Sequence, residues 1–340
     1  MSLPIDEFDH PLDVLTIGNA ITDVLVRVED EFLESQGLSK SIMHLIEAER
    51  AESLYAVMPE HKIQISGGSA ANSAAGVASL GGRAAFVGKV ADDKIGRFYS
   101  NDLRTTGVEY KTEMLEHGTA SGRSMVLITP DGERTMNTYL GACHDLTPKD
   151  IYEDQIGRAA ITFMEGYLWD PSEAKRAFIK AAHFAHKHDR ATAITLSDPF
   201  CVDRFRDEFL DLIRSKTCDY VFANIEELKS LYQTDDLHIA VQRVAQDAQV
   251  AAVTMGENGA MAIADGEVIT VPAFAVDNVI DVTGAGDLFA SGFLLALART
   301  QNMHEALQLG CLCASEVISH LGARPEKNLK QFATDNGLLI

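Results

Sequence analysis

The sequence is poor in positive charge. Its 340 residues carry 29 Lys and Arg against 50 Asp and Glu, which gives a formal net charge of -21. A phosphate backbone is bound by clustered cations, and no Lys- or Arg-rich run occurs, so we expect no nucleic-acid partner. A small-molecule enzyme or an interaction protein is compatible with such an acidic chain.

Long hydrophobic runs are also lacking. No stretch reaches the roughly 20 apolar residues that a membrane-spanning helix needs. The opening residues MSLPIDEFDHPLDVLTIG contain no basic region followed by an apolar core, which a secretory signal would require. We therefore expect a cytoplasmic protein without a membrane partner.

Cysteine is scarce, with five residues at spacings unlike those of zinc sites. Cys311 and Cys313 lie two positions apart in a helical segment, so they point to different faces and would make a poor metal clamp. We expect the cysteines to be small buried side chains.

The sequence does contain a long alternation of apolar strand-like runs and helical stretches. The runs include DVLTIGN, AAFVGKV, AAITFMEG, TAITLSDP, YVFAN and AAVTMG. This alternation predicts an α/β fold whose parallel sheet is covered by helices on both faces. Two further runs, SMVLIT and RTMNTYL, flank the turn Pro130-Asp131-Gly132-Glu133 and predict an antiparallel flap. Because no linker or repeat interrupts the pattern, we expect one domain over residues 1–340.

The segment DVTGAGD, residues 281–287, directly precedes the apolar helix LFASGFLLALA. Gly284, Ala285 and Gly286 would occupy a turn where backbone N–H groups lack helical partners, and the helix dipole there favours an anion such as phosphate. Asp287 would be repelled by a bound polyphosphate unless it accepts a proton from an attacking hydroxyl. The alternative is an Asp that only stabilises the first turn of the helix.

The sequence does not match two other nucleotide-binding motifs. The stretch GRAAFVGKV has the wrong glycine spacing for a Walker loop and places Val90 after Lys89. The first strand ends in Gly18-Asn19-Ala20-Ile21-Thr22-Asp23, which is not a dinucleotide fingerprint.

Two long segments resemble the signatures of a known family. The segments GGSAANSAAGVASLGGRAAFVGKVADDKIGRFY and DVTGAGDLFASGFL are similar to those of the ribokinase-like (PfkB) sugar and nucleoside kinases. The resemblance implies a three-layer α/β/α fold with a mostly parallel central sheet and a small β-sheet lid, which we expect in residues of about 20–66 and 110–142. It also implies transfer of the ATP γ-phosphate to a substrate hydroxyl with the help of Mg²⁺.

The resemblance also implies roles for individual residues. Asp287 matches the catalytic base, the turn of Gly284, Ala285 and Gly286 matches the anion hole, and Arg134 aligns with an arginine near the transferred phosphate. The Asn-x-x-Glu element that influences Mg²⁺ and phosphate binding is matched by Asn224 and Glu227, the latter acting on the metal through water. Positions that contact the nucleotide are matched by Thr254, Gly256 and Gly259.

Further positions match cation and substrate sites. Asp281 and Thr283 stand where several relatives bind a monovalent cation such as K⁺, although a turn Asp beside a strand-end Thr is the structural alternative. For the substrate, the resemblance points to the polar and glycine residues Asn19, Asp23, Gly67, Gly68 and Asn72. A carboxylate and an amide there can bond the hydroxyls of a ribose.

Finer details are most similar to adenosine kinases, namely GERTMNTYLGACHDL, ITLSDPF and EVISHLGARP. The purine would then be enclosed by the apolar residues Ile21, Met136, Tyr167 and Leu168, which could equally be lid or core packing. Asp198 stands where adenosine kinases often have a small residue, so a kinase of ribose, fructose or another free sugar is the alternative. A non-enzymatic nucleoside or nucleotide sensor is a third. Relatives use the lid as a free cover or as a dimer contact, so a monomer and a homodimer both fit the sequence.

Overall fold

The computed structural model describes residues 11–338, so the first ten and last two residues of the expected 1–340 domain lie outside the described range. Strands form where β-branched and other apolar residues run together between turns. Within residues 11–338 the strands are β1 (Leu12–Ile17), β2 (Ile21–Arg27), β3 (Met43–Leu45), β4 (Ile63–Gly67), β5 (Ala84–Val87), β6 (Glu109–Tyr110), β7 (Gly122–Ile128), β8 (Arg134–Tyr139), β9 (Ala159–Glu165), β10 (Ala191–Thr195), β11 (Tyr220–Asn224), β12 (Val250–Thr254), β13 (Ala260–Ala264) and β14 (Glu267–Val271).

Several helices begin at side chains that accept a bond from the first turn, as Asp93, Asp198 and Asn224 do. In the described part of the chain the α-helices are α1 (Asp30–Ser35), α2 (Ala48–Val57), α3 (Ser69–Ser79), α4 (Lys94–Thr105), α5 (Glu153–Arg158), α6 (Ser172–Lys187), α7 (Pro199–Arg214), α8 (Ile225–Tyr232), α9 (Leu237–Asp247), α10 (Ala285–Thr300), α11 (Met303–Val317) and α12 (Leu329–Asp335).

The central sheet has the strand order β14-β13-β12-β11-β10-β9-β1-β5-β6. All neighbours from β6 to β12 pair in parallel, whereas β13 and β14 add an antiparallel edge. A parallel sheet buried on both faces needs apolar residues on both sides of each strand, and β1 supplies Val14 to one core and Leu15 and Ile17 to the other. The predicted parallel sheet is confirmed.

Helices cover both faces of this sheet. One core holds buried side chains of α3, α4, α10, α11 and α12, and the other holds those of α5 to α9. The chain therefore has the three-layer α/β/α architecture that the resemblance implied.

A second, smaller sheet has the order β3-β8-β7-β2-β4, and we call these five strands the lid. The antiparallel pairing of β7 with β8 confirms the predicted flap. One face of the lid packs on α1 and α2 through a core that includes Val24, Leu54 and Met125. The lid strands lie in residues 21–67 and 122–139, because β6 pairs with β5 and so belongs to the central sheet. Tyr110 fixes β6 there by packing on Phe86 in the core.

The cysteines behave as expected. All five are free and buried, so they are packing side chains. Among residues 11–338, no helix combines the length and the apolar composition that crossing a membrane requires.

Candidate active site

A cavity of about 550 Å³ lies between the lid and the carboxyl ends of the central strands. Parallel strands open their carboxyl ends at one edge of the sheet, where α8 begins directly after β11. The N-termini of α3, which follows β4 of the lid, and of α10 also line this cavity. Most of the predicted site residues line this cavity, namely Ile21, Asp23, Gly68, Asn72, Met136, Asn224, Glu227, Thr254, Thr283, Gly284, Ala285, Gly286 and Asp287.

The glycine turn forms the start of α10. Gly284 is the N-cap with φ +81°, a left-handed conformation that glycine adopts without strain, and the helix begins at Ala285. A β-carbon on Gly284 would also lie 2.7 Å from Ala323, so Ala323 leaves no room for a side chain here. A β-carbon on Gly286, in contrast, would meet no atom within 4 Å and would project into open space. The first-turn N–H groups are thus accessible to an anion at the cavity wall.

Asp287 lies in the first turn of α10 and is held by α3. Ser69 Oγ donates to Asp287 Oδ1 at 2.6 Å, and Asn72 Nδ2 donates to Asp287 Oδ2 at 2.9 Å. The Asp287 carbonyl accepts bonds from the hydroxyls of Ser73 and Ser291 at 3.1 and 2.8 Å. These contacts fix the carboxylate at the floor of the cavity.

The electrostatic surroundings of Asp287 suit proton transfer. Burial raises the pKa of Asp287, while the bonds from Ser69 and Asn72 and the charge of Arg324 hold that rise back. The Asn72 Oδ1 atom is buried and has no hydrogen-bond partner in the described chain, so it is available to a bound hydroxyl. A carboxylate with a raised pKa, next to an atom that can bind a hydroxyl, is well placed for general base catalysis.

Asp23 faces the same cavity from β2 of the lid. Burial raises its pKa to about 6, an effect that the positive charges of Arg134 and Arg324 oppose and the charge of Asp287 reinforces. Gly68 stands next to it with φ +97°, where any side chain would collide with the backbone oxygen of Asn19. Gly67 does not line the cavity, but a β-carbon on it would lie 2.9 Å from the Asp23 carboxyl carbon, so it lets β4 pass close to this side chain.

Asn19 does not line the cavity but bonds a carboxylate that the sequence analysis missed. Its Nδ2 donates to Glu165 Oε1 at 2.7 Å, and the backbone N–H of Ala70 donates to Glu165 Oε2 at 2.9 Å. Glu165 is buried at the end of β9, and burial raises its pKa to about 7. It ties the end of β1 to the start of α3, the helix that carries Ser69 and Asn72. An acidic residue that ends the apolar run AAITFMEG was the signal for it.

Asn224 and Glu227 form a capping box at the start of α8. Asn224 Oδ1 accepts from the Glu227 N–H at 2.9 Å, and the carboxylate of Glu227 accepts from the N–H and the amide of Asn224. Burial raises the pKa of Glu227 to about 7. Within the described residues no three acidic, His or Cys side chains cluster as a ready metal cage. The single carboxylate of Glu227 is nevertheless enough for Mg²⁺, because this ion usually keeps several waters and takes few protein ligands.

Arg134 of the lid forms an ion pair with Asp281, and neither residue lines the cavity. Asp281 also accepts bonds from the Thr283 hydroxyl at 2.6 Å and from the Gly322 N–H at 2.9 Å. This pair joins β8 to the segment that precedes α10, so it connects the lid to the glycine turn of residues 284–286. The side chains of Arg134 and Asp281 are only 14% and 8% exposed, which protects the pair from solvent screening.

Of the residues predicted to contact the nucleotide, one lines the cavity and two do not. Thr254 ends β12 at the cavity, whereas Gly256 and Gly259 bound the next turn and lie outside the cavity wall. Gly259 has φ +89°, and its carbonyl accepts a bond from the Met255 N–H at 2.8 Å. These two glycines shape the turn beside Thr254.

The predicted purine-binding residues also divide. Ile21, Met136 and Tyr167 line the cavity, but Leu168 is fully buried in the core shared by α6 and α7. Leu168 thus takes the core-packing role that the sequence left open as the alternative, because successive residues of the 166–169 turn point in different directions. Tyr167 is held in place at both ends, since its N–H donates to Ser197 Oγ at 3.0 Å and its hydroxyl donates to the Ser197 carbonyl at 3.1 Å.

Comparison with known proteins gives the same fold along nearly the whole chain. A probable sugar kinase from Rhizobium etli CFN 42 is 49% identical and superimposes with a TM-score of 0.89 over 97% of this chain and 100% of the other. An adenosine kinase from Sinorhizobium meliloti is also 49% identical, with a TM-score of 0.88 over 96% and 99% of the two chains. The adenosine kinase of Saccharomyces cerevisiae is 25% identical over 91% of this chain and 95% of its own. Residues 41–329 match the pfkB family of carbohydrate kinases, and the chain therefore belongs to that family of phosphotransferases with an alcohol group as acceptor.

Proposed function

We propose that this kinase transfers the γ-phosphate of ATP to the 5′-hydroxyl of adenosine or a close purine riboside. The observation that carries the proposal is the position of Asp287, a carboxylate fixed at the cavity floor within the first turn of α10. The Asp287 carboxylate can accept a proton while the adjacent N–H groups of the turn hold the transferred phosphate.

The chemistry follows from this arrangement. The 5′-oxygen forms a bond to the γ-phosphorus, the bond from that phosphorus to the bridging oxygen of ADP breaks, and Asp287 accepts the hydroxyl proton. The N–H groups at Gly284, Ala285 and Gly286 stabilise the charge on the equatorial oxygens. Arg134 pairs with Asp281 and so connects the lid to the segment that precedes this turn. Glu227 would hold Mg²⁺ through water, and the ion would supply positive charge to the phosphates.

We place ATP along the segment between β14 and α10 and the ends of β11 and β12. Asn224, Glu227 and Thr254 line the cavity on that side. Three exposed apolar side chains directly precede the phosphate turn, with Val279 60%, Ile280 56% and Val282 70% exposed. A planar base needs apolar surface to cover. Val282 offers such surface at the cavity wall, whereas Ile280 lines a separate cavity with Leu312.

The acceptor would lie between the lid and α3. Asp23 and the free Oδ1 of Asn72 can accept bonds from ribose hydroxyls. Ile21, Met136 and Tyr167 give this part of the cavity an apolar wall, which suits a purine. The similarity to adenosine kinases supports the same assignment.

A free sugar is the second candidate, and the cavity has a specific feature that favours it. Hydroxyl side chains of Ser124, Thr138, Thr195 and Ser197 face the cavity alongside the apolar wall. Hydroxyls can bond the many oxygens of a sugar such as ribose or fructose. The similarity to a probable sugar kinase supports this reading.

We also propose K⁺ as the cation at Asp281 and Thr283, beside the start of α10. Thr283 is exposed at the cavity, and the Asp281 carboxylate lies directly behind it. Because Arg134 already pairs with Asp281, a bound K⁺ would share that carboxylate with the guanidinium. Replacement of K⁺ by choline should then lower turnover, and equal rates in the two salts would exclude the site.

The proposed acceptor is tested by a coupled assay of ADP release. ATP and Mg²⁺ are supplied with a panel of purine ribosides, pyrimidine ribosides, ribose, fructose and other hexoses. The proposal expects purine ribosides to give the highest kcat/KM. Turnover confined to free sugars would select the second candidate, and no turnover with any acceptor would favour a sensor.

A further inference from the structure

Arg324 is a partly buried cation beside the site, and neither the sequence motifs nor the proposed mechanism gives it a role. It lies in the segment between α11 and α12, next to Ala323 of the cavity wall. Its Nη2 donates to the Ser66 carbonyl at 2.6 Å. Its Nε and Nη1 atoms are buried without a hydrogen-bond partner in residues 11–338. A buried guanidinium that leaves donors unpaired is costly, so its position calls for a compensating interaction.

The compensation comes from charge. The groups that act electrostatically on Arg324 are Asp23 of β2, Tyr99 and Asp102 of α4, and Asp287 of α10. Asp102 is already bonded by the Ser66 N–H at 2.8 Å. Asp23 and Asp287 both face the cavity, and the negative charge of Asp287 raises the cost of ionising Asp23. The positive charge of Arg324 favours the ionised form of both carboxylates, and Arg134 adds to this effect at Asp23.

The backbone holds Arg324 firmly in this place. Asp281 accepts the Gly322 N–H on one side, at 2.9 Å, and Glu316 accepts the Lys327 N–H on the other, also at 2.9 Å. Pro325 follows directly and restricts the backbone of Arg324 to extended conformations. The guanidinium is thus positioned before any substrate binds.

The bond to Ser66 has a structural consequence as well. Ser66 belongs to the last part of β4, from which the lid strand passes through Gly67 and Gly68 into α3. The Gly67 carbonyl accepts the Tyr99 hydroxyl at 3.1 Å, so this junction is held from α4 and from the 322–327 segment together. The start of α3 in turn holds the Asp287 carboxylate through Ser69.

We propose that Arg324 is a positioning residue for phosphoryl transfer. Its guanidinium supplies positive charge beside the cavity wall, and it fixes the junction from which α3 holds Asp287. The role rests on the proposed function of Asp287 as the base, but not on the identity of the acceptor.

The experiment compares R324Q and R324K with R299Q as the matched control. Arg299 also bonds a backbone carbonyl, that of Gly81, and an aspartate, Asp13, but it lies away from the cavity. With whichever acceptor gives the best turnover, kcat/KM is measured from pH 5 to 9 for each protein. Thermal unfolding is followed on the same samples.

In R324Q, Asp23 and Asp287 each lose one cation that favours the charged form, while Arg134 still acts on Asp23, so the pKa values of both carboxylates should rise. The acid limb of kcat/KM should move to higher pH by about one unit. R324K should keep the limb near the wild-type position, even if it unfolds at a lower temperature, and R299Q should leave it unchanged. If the acid limb of kcat/KM in R324Q stays at its wild-type pH, the proposal is overturned. A purely structural role would lower the unfolding temperature without moving that limb.

D287N separates this inference from the proposed function. If D287N retains full activity, the assignment of the base fails and the role of Arg324 fails with it. If D287N is inactive and R324Q shows no shift, only the inference about Arg324 fails.

Discussion

Asn72 and Asp287 are 215 residues apart in the chain, yet Asn72 Nδ2 donates to Asp287 Oδ2 at 2.9 Å. The contact joins the first turns of α3 and α10, the two helices that begin in glycine-containing segments of the cavity. Since Ser69 holds the other oxygen, the carboxylate has one orientation, with its remaining lone pairs directed at whatever binds in the cavity.

Replacement of Asp287 by Asn should keep the fold and ATP binding but remove the base. Loss of a general base typically lowers the rate by about 10² to 10⁴. Turnover is measured by ADP release and ATP affinity by calorimetry, with D207N on the exposed side of α7 as a control that keeps full activity. A D287N turnover within a few-fold of wild type would show that another group accepts the proton.

Gly286 allows a graded test of the phosphate turn. A β-carbon there meets no protein atom, so both G286A and G286V should fold normally. The larger side chain of G286V fills more of the open space beside the first turn, where the phosphates would lie, so it should weaken MgATP binding and lower turnover, with G286A less affected. Calorimetry that finds unchanged MgATP affinity in G286V would place the phosphates elsewhere.

Acceptor binding should depend on pH through Asp23. With a pKa of about 6, Asp23 is ionised above that value and can accept two hydroxyl bonds, and its protonation below pH 6 removes one acceptor. The KM for the acceptor should therefore rise as the pH falls from 7 to 5. D23N should show a high KM that varies little over this range. A wild-type KM that stays constant to pH 5 would contradict the role of Asp23.

Glu165 should make stability depend on pH. Its pKa is raised to about 7 in the folded chain, against an ordinary value of 4.5, so the folded state holds the extra proton between these values. The contribution to stability is complete below about pH 4.5 and is lost as the pH rises through about 7, an effect on the order of 3 kcal/mol at most.

The test of Glu165 is urea unfolding of the wild type and E165Q between pH 5 and 8. E165Q places an amide where three N–H donors point, so it should be less stable throughout. Its free energy of unfolding should fall less steeply with pH than that of the wild type. Parallel pH slopes would mean that Glu165 titrates normally.

Much of the fold was predictable because buried parallel strands are written as short apolar runs between helices. The glycine turn at the start of α10 was predictable for a related reason, since glycines before an apolar helix have a local structural meaning. Contacts between distant segments were not predictable. Ser69 is an unremarkable serine in the sequence, and its bond to Asp287 exists only because α3 and α10 pack side by side.

The residues that the sequence placed wrongly or missed share this cause. Tyr167 and Leu168 are neighbours, and only the three-dimensional turn after β9 decides that the first faces the cavity and the second the core. Arg324 lies in EVISHLGARP, a segment whose similarity to adenosine kinases gave this residue no role, and its electrostatic effect on Asp23 and Asp287 depends on the packing of separate elements.

The most direct test of the proposed function is the ratio of kcat/KM for adenosine to that for free ribose and fructose. The apolar wall of Ile21, Met136 and Tyr167 can cover a purine, and burial contributes about 25 cal/mol per Å² of apolar area, whereas a free sugar gains none of this. If that contribution is present in the transition state, adenosine should be favoured by roughly 10²-fold or more. A higher kcat/KM for ribose or any hexose than for every purine riboside tested would contradict the assignment.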